Sequence, residues 1–357
     1  VRFGALGDMV MLTVAIRALH ARLGQPVDIL AAADWTRPLL RGQPGVGDIF
    51  LLASRKPPYW LSPGQQRLVR ELRVRGAGPT WLFDHDNRKV ESLLARAGWS
   101  APCWCHHEDL PGLAGSHFCE RWLRFAWRNP ALLGGEDLAP QSGEAFGELI
   151  VTGEQRREVD DWSQQRPWAG QPLILIQAGN KRTMRRGLRR RRSNSKYWPE
   201  ANWAAVVRGL RSLHPGHAIL LLGVRQESAL NQEILALAGI SGAYNVVHEL
   251  SITRLLGLAG RATGMISVDT GPAHVAAAVG CTVVALFGRT EPFMYAPRGR
   301  SAVVRCLVGE RLLGEHGGER SMLYITPQQV LAAWQAALQA APAALPPAAS
   351  SAAVSHP

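Results

Sequence analysis

The sequence predicts an α/β protein made of two doubly wound parallel sheets, each covered by helices on both faces. Three observations predict it. Short apolar runs of strand length alternate with helical stretches along most of the chain. Strand–loop–helix junctions at Arg2–Asp8 and at Ile266–His274 carry glycine and an acid where such folds bind ligands. A polar, charged stretch near residues 140–171 separates two sets of elements.

In the first set Val1–Phe3 reads as a short strand and Gly4–Asp8 as a loop. Met9–Leu23, Pro63–Val74 and Arg88–Gly98 read as helices. Val27–Ala33, Asp48–Ala53 and Pro79–Phe83 read as buried strands. Ser116–Trp127 reads as a helix, because Phe118, Trp122 and Phe125 keep helical spacing. A parallel domain normally opens on a full strand, so residues upstream of Val1 are expected. The domain boundary is placed near residue 165.

In the second set the strands are Pro172–Gln177, His217–Leu222, Gly264–Val268 and Thr282–Phe287. The helices are Glu200–Leu213, Gln226–Ala238, Ile252–Ala259 and Pro272–Val279. Thr326–Gln339 reads as a further helix, with Thr326 as cap and Pro327 at its first position. The expected division is thus 1–165, 166–340, and a disordered Ala/Pro/Ser tail over 341–357.

Composition narrows the class. Hydrophobic residues make up 46% and charged residues 19% of the 357, which is enough apolar material for a packed core. No apolar run reaches the length of a membrane-spanning helix. Arg2, Met9–Ile16 and Ala31–Ala33 imitate a signal peptide, but Asp8, Arg17, His20 and Arg22 interrupt the apolar core it would need. Five irregularly spaced cysteines do not form a disulfide framework. A cytoplasmic protein is expected. The net charge of +12 is uneven: residues 181–196 hold nine Lys or Arg and no acid, which leaves +3 for the rest. Such a run suits phosphate, nucleic acid or an anionic membrane surface. It holds no aromatic residue on which bases could stack, so nucleic acid is not expected.

Three segments carry candidate chemistry. In ISVDTGPAHVAAAVGCTVVALFG, the turn Asp269–Thr270–Gly271 ends a strand and Pro272 opens a helix, so exposed amides and the helix dipole favour a phosphate. His274 sits in that first turn; simple capping by Asp269 or Thr270 is the alternative. In RFGALGD, Gly4 and Gly7 allow close backbone approach, and Asp8 stands at the helix start. Its carboxylate suits proton removal from a hydroxyl, with capping again the alternative. The basic run ends at Lys196, before Trp198–Pro199–Glu200; Arg182, Arg185 and Arg186 offer phosphate forks and Lys196 a point charge. Glu227, just after a strand end, suits ribose hydroxyls.

Two further clusters are read as structural. Asp84-His85-Asp86 has a metal-binding Asp-x-Asp pattern, but it ends a strand, where turn roles are common. Cys103, Cys105, His106, His107, His117 and Cys119 have zinc-ligand chemistry without the usual spacings, and they are read as a reduced loop. No metal is expected.

RFGALGDMVMLTVAIRAL, KYWPEANWAAVV and ISVDTGPAHVAAAVGCTVVALFGRTEP, in this order, resemble glycosyltransferase family 9, the ADP-heptose:lipopolysaccharide heptosyltransferases and their relatives. The resemblance implies a GT-B fold, two Rossmann-like domains facing a cleft. It implies inverting, metal-independent transfer from a nucleotide-sugar, ADP-heptose first among them, to a lipopolysaccharide core acceptor, with no cofactor. Asp8 would be the base. Lys196, Glu227, Asp269, Thr270, Gly271 and His274 would bind the donor. Gly7, Arg182, Arg185 and Arg186 would contact phosphate or acceptor. The Arg-rich insertion is longer than the family's loop and suits a peripheral site on the cytoplasmic face of the inner membrane. A family member using another nucleotide-sugar, or a non-catalytic nucleotide or polyanion binder of the same fold, are the alternatives.

Overall fold

The computed structural model describes residues 1–52, 54–109, 115–135, 137, 145–180, 194–312 and 318–341. The Ala/Pro/Ser tail and the basic run 181–193 therefore lie outside the described residues.

The chain opens with α1 (Leu6–Met11) and α2 (Thr13–Leu23). The single helix expected over 9–23 starts earlier and is broken at Leu12. The Thr13 hydroxyl donates to the Val10 carbonyl at 2.6 Å, a local bond that competes with the helical ladder. There follow β1 (Val27–Ala31), α3 (Thr36–Leu40), β2 (Val46–Leu51), α4 (Pro63–Arg75), β3 (Thr80–Leu82) and α5 (Arg88–Arg96). Next come β4 (Trp104–His106) and α6 (Phe118–Ala126). β4 corrects the reading of the Cys/His stretch as a loop: it pairs in parallel with β3, Cys105 opposite Trp81.

β1 pairs with β2 and β3 with β4, all in parallel. Residues 1–3 join the two pairs. The Arg2 amide donates to the Leu30 carbonyl, and the Phe83 amide to the Val1 carbonyl, each at 3.0 Å. The opening residues thus lie between the two strand pairs and bridge them.

α7 (Gly153–Gln164) follows, inside the stretch read as polar connection. Its buried Gln155, Val159, Trp162 and Ser163 fall on one helical face, and Thr152 caps it through the Gln155 amide. Then come β5 (Leu173–Gln177), α8 (Glu200–Leu213), β6 (Ala218–Leu221), α9 (Ser228–Ala238), β7 (Ala243–Asn245) and α10 (Ile252–Arg261). β8 (Gly264–Val268), α11 (Gly271–Ala278), β9 (Val283–Phe287), α12 (Pro292–Tyr295) and β10 (Val304–Val308) complete the sheet region. A hairpin of β11 (Glu310–Leu312) and β12 (Gly318–Arg320) precedes α13 (Pro327–Ala340).

The second sheet is six-stranded and parallel, in the order β10-β9-β8-β5-β6-β7. Every residue of β5, β6, β8 and β9 is buried, which is why these segments read as continuous apolar runs. Side-chain alternation splits them between two cores: Leu173 and Leu175 face one side, Ile174 and Ile176 the other, against α8 and α13. The chain reverses direction across the sheet beside β5, so the crevice between the carboxyl ends of β5 and β8 is the expected ligand position.

Candidate active site

The two glycine-containing motifs meet. α1 packs on α11, and the contact requires glycine on both sides. A Cβ on Gly7 would stand 2.8 Å from Cδ2 of His274, and one on Gly271 would stand 2.6 Å from the Leu6 Cβ and 3.1 Å from the Gly7 amide nitrogen. The first-half turn and the second-half turn are therefore docked backbone to backbone at the mouth of the cleft. His274 is buried at this junction. Burial lowers its imidazole below the ordinary range, Asp269 and Asp8 pull it upward, and Lys196 pushes it down. Asp8, His274, Lys196 and Asp269 thus share one electrostatic neighbourhood.

Asp8 lies in the first turn of α1, where its Oδ2 accepts the Ala5 amide at 2.7 Å. Its other oxygen faces the Arg2 guanidinium at 3.2 Å. Arg2 is itself held at 2.9 Å by Asp84, and its guanidinium carbon lies 5.1 Å from the Trp122 ring centroid. Asp84 also accepts the Phe3 amide at 2.8 Å. Asp84 of the Asp84-His85-Asp86 triplet therefore serves as an anchor for Arg2. Sequence reading missed Arg2 as a partner of Asp8: it lies six positions away with no local pattern, and the two meet only because the first strand and α1 fold back together. Asp8 remains partly exposed, at 30% of its side chain, so its carboxylate is reachable from the cleft.

Lys196 is fixed by the motif that follows it. The Trp198 indole N–H donates to the Ile325 carbonyl at 3.0 Å, Trp198 packs edge-on against Trp203, and the Tyr197 hydroxyl donates to Glu200 at 2.6 Å. The Lys196 ammonium reaches the end of β8, 2.9 Å from the Asp269 carbonyl and 2.6 Å from its carboxylate. Asp269 thereby holds the cation beside the α11 N-terminus. Thr270 is the N-cap by position, but its hydroxyl donates to the Val268 carbonyl at 3.3 Å and not to the helix. Pro272 carries no N–H and the Ala273 amide donates to the Thr270 carbonyl at 3.1 Å, which leaves the Gly271 amide and the positive end of the helix for an anion.

At the other strand end Glu227 is buried against two glycines. A Cβ on Gly179 or on Gly223 would collide with its carboxylate. Oε2 accepts the Val224 amide at 2.8 Å and the Gln177 side-chain amide at 3.3 Å. Oε1 is buried without a hydrogen-bond partner, which leaves one acceptor for a ligand hydroxyl. Burial raises the Glu227 carboxyl above its usual range, and the two hydrogen bonds oppose that rise.

The Cys/His cluster has separate structural duties. His117 caps α6: its Nδ1 accepts the Cys119 amide at 3.1 Å, so Nε2–H donates to the Ala296 carbonyl at 2.9 Å, across the two halves. Burial lowers this imidazole to about 4. Phe118 stacks on Tyr295 at 4.9 Å and Glu120 pairs with Arg298 at 2.8 Å, reinforcing the same junction. Among the described residues no group of three His, Cys, Asp or Glu is placed to hold a metal, and no helix is long and apolar enough to cross a membrane. Arg182, Arg185 and Arg186 lie outside the described residues. A cavity of about 480 Å³ between β1 and β3 is lined by apolar residues such as Leu12, Ile16 and Trp81 and by none of the candidate residues.

Residues 149–315 match the model of glycosyltransferase family 9 (heptosyltransferase). Lipopolysaccharide heptosyltransferase 2 of Salmonella typhimurium is 23% identical over 352 residues, covering 91% of this chain and 94% of that protein. The solved structure of E. coli ADP-heptose lps heptosyltransferase II superposes with a TM-score of 0.69 at 21% identity, covering 94% of this chain and 97% of that one. E. coli heptosyltransferase WaaC with ADP gives a TM-score of 0.64 at 16% identity, covering 94% and 98%. The fold is GT-B, and residues 149–315 of this chain are similar to glycosyltransferase family 9, the heptosyltransferases.

Proposed function

We propose that this protein transfers heptose from ADP-heptose to a lipopolysaccharide core acceptor, with inversion and without a metal. The observation that carries the reading is the docking of Gly7 and Leu6 on Gly271 and His274. It brings a reachable carboxylate, a fixed ammonium and a helix N-terminus to one cleft. Residues 1–165 hold the acceptor and 166–340 the donor. The sugar and the acceptor are those of the similar lipopolysaccharide heptosyltransferases.

In this reading the ribose hydroxyls donate to the free oxygen of Glu227. The diphosphate lies between Lys196 and the N-terminus of α11, with Thr270 and the Gly271 amide beside it. Asp8 takes the proton of the acceptor hydroxyl. The hydroxyl oxygen attacks the anomeric carbon from the face opposite the diphosphate, the new C–O bond forms, and ADP departs with the electron pair of the broken one. Lys196 and the Gly271 amide stabilise the charge that develops on the leaving diphosphate. Asp269 positions Lys196, and the Arg guanidiniums of the basic run reach phosphate or acceptor. The reaction takes place on the cytoplasmic side.

Asp8→Asn tests the assignment. Turnover should fall about a hundred- to ten-thousandfold, the worth of general-base catalysis, while calorimetric ADP binding in EDTA stays at the wild-type value. Turnover unchanged in Asp8→Asn removes Asp8 as the base. Preference for UDP, GDP or dTDP over ADP removes heptose as the sugar. Turnover that is lost in EDTA and returns with a divalent ion removes the metal-independent mechanism.

A further inference from the structure

We propose that the turn Tyr59–Leu61, together with the basic faces of α4 and α5, docks this protein on an anionic phospholipid bilayer. The orientation argument rests on the proposed lipid-borne acceptor; the docking itself is a property of the chain.

Trp60 is 73% exposed and Leu61 58%, an unusual outlay of apolar surface for adjacent residues. The turn that carries them is braced from behind. The Gln65 side-chain amide donates to the Ser54 and Pro57 carbonyls at 3.3 and 3.0 Å, and that of Gln66 to the Tyr59 and Trp60 carbonyls, each at 3.2 Å. The Lys89 ammonium donates to the Arg55 and Lys56 carbonyls at 2.8 and 3.0 Å. The Arg96 guanidinium covers Tyr59 at 4.5 Å. Backbone bonds of this kind hold the turn in one shape while its apolar tip points to solvent. An indole presented this way suits the headgroup boundary, where its apolar body and its N–H are both accommodated.

The surroundings carry the complementary charge. Residues 54–98 hold nine Lys or Arg against four Asp or Glu, and one of those acids, Asp84, is buried against Arg2. Lys56, Arg67, Arg70, Arg73, Arg88, Lys89 and Arg96 are all exposed. Along α4, Arg67, Arg70 and Val74 follow the turn at helical spacing, and Val74 is 90% exposed. A basic surface with an apolar tip is what an anionic leaflet recognises; each basic residue near such a leaflet strengthens binding about fivefold. The acidic residues elsewhere hide this surface in the net charge.

The turn follows β2 at the sheet's carboxyl end, the end from which residues 4–8 leave toward Asp8. Arg55 lies 4.6 Å over the Phe3 ring, and Phe3 donates to Asp84 beside Arg2. Docking through Trp60 therefore turns the acceptor side of the cleft toward the bilayer.

Flotation of the full chain with vesicles tests this. The protein should float with vesicles of phosphatidylethanolamine and phosphatidylglycerol and stay down with phosphatidylcholine alone. Trp60→Ser with Leu61→Ser should weaken binding about tenfold or more, and Arg67→Glu with Arg70→Glu at least about 25-fold. Leu237→Ser on α9, a 49% exposed apolar residue outside this patch, should change nothing. Brominated lipid should quench tryptophan emission less in Trp60→Phe than in wild type. Absence of vesicle binding by the wild type overturns the proposal. So does full binding by the Ser variant, which assigns adhesion to the 181–196 run, and so does RNA competing away all vesicle binding. The Ser variant should keep wild-type turnover on a deacylated, water-soluble acceptor and lose it on one embedded in vesicles. Failure of turnover in every protein removes the proposed reaction and leaves the flotation result standing.

Discussion

Replacing Gly7 by alanine probes the junction on which the active site depends. The added Cβ would meet three atoms of one ring: Cδ2 of His274 at 2.8 Å, Nε2 at 3.2 Å and Cγ at 3.3 Å. The nearest approach is roughly 0.6 Å inside ordinary contact, and His274 is buried, so it has no open side into which to swing. Overpacking of this kind costs about 1–3 kcal/mol. If that cost falls on the docked arrangement of α1 and α11, its population relative to the open one drops by about 5- to 150-fold, by RT ln K at RT of about 0.59 kcal/mol. The predicted fall in kcat is of that size. ADP binding, which uses second-half groups, should change by less than about threefold. A double-mutant cycle isolates the contact. In a His274→Ala background the space is vacated, so Gly7→Ala should then cost little beyond His274→Ala alone. Equal penalties for Gly7→Ala in both backgrounds would refute the interlock as the reason for glycine at position 7.

Other consequences follow from the same geometry. Arg2→Met should lower kcat by about 10- to 150-fold, the worth of a charge-assisted hydrogen bond, and leave ADP affinity unchanged; Arg2→Lys should recover part of the loss. A parallel fall in ADP affinity would place Arg2 in folding instead. Glu227→Gln should weaken ADP binding by about tenfold, since a neutral amide is the poorer acceptor for ribose hydroxyls. Because burial raises the Glu227 carboxyl, its stability contribution is full below the ordinary carboxylate range and is lost as pH rises through the raised value. Urea unfolding should therefore show Glu227→Gln gaining on wild type from pH 4 to 7; a constant difference would contradict this. His117 behaves oppositely. Its imidazole is lowered to about 4, so the stability it contributes is present above its unfolded value near 6.5 and is lost as pH falls toward 4. His117→Asn keeps a capping side chain without the titration, and its unfolding midpoint should vary less than that of wild type over this window.

Much of this was legible in the chain itself. The strands β5, β6, β8 and β9 are uninterrupted apolar segments because both faces of their sheet are covered, and a fully buried strand leaves no polar alternation to misread. Pro272 and Pro327 mark helix starts through chemistry local to one turn. α7 was hidden by its polar average, although its buried residues keep helical spacing. β4 is three residues long, and only its pairing with β3 makes it a strand. The break between α1 and α2 turns on one threonine hydroxyl.

The site divides along the same line. The sequence by itself determined which residue types stand at the two loop–helix junctions. Glycine, carboxylate and a helix N-terminus follow from a few neighbouring residues and their backbone preferences. Tertiary structure alone decided what those groups face. Gly7 is required because a histidine from 267 positions later fills the space its side chain would take. Arg2 steadies Asp8 because Asp84 holds it from a third strand. Asp269 and Lys196 pair across 73 residues. These contacts join distant parts of the chain, and their energies depend on burial and distance, which a local pattern does not encode.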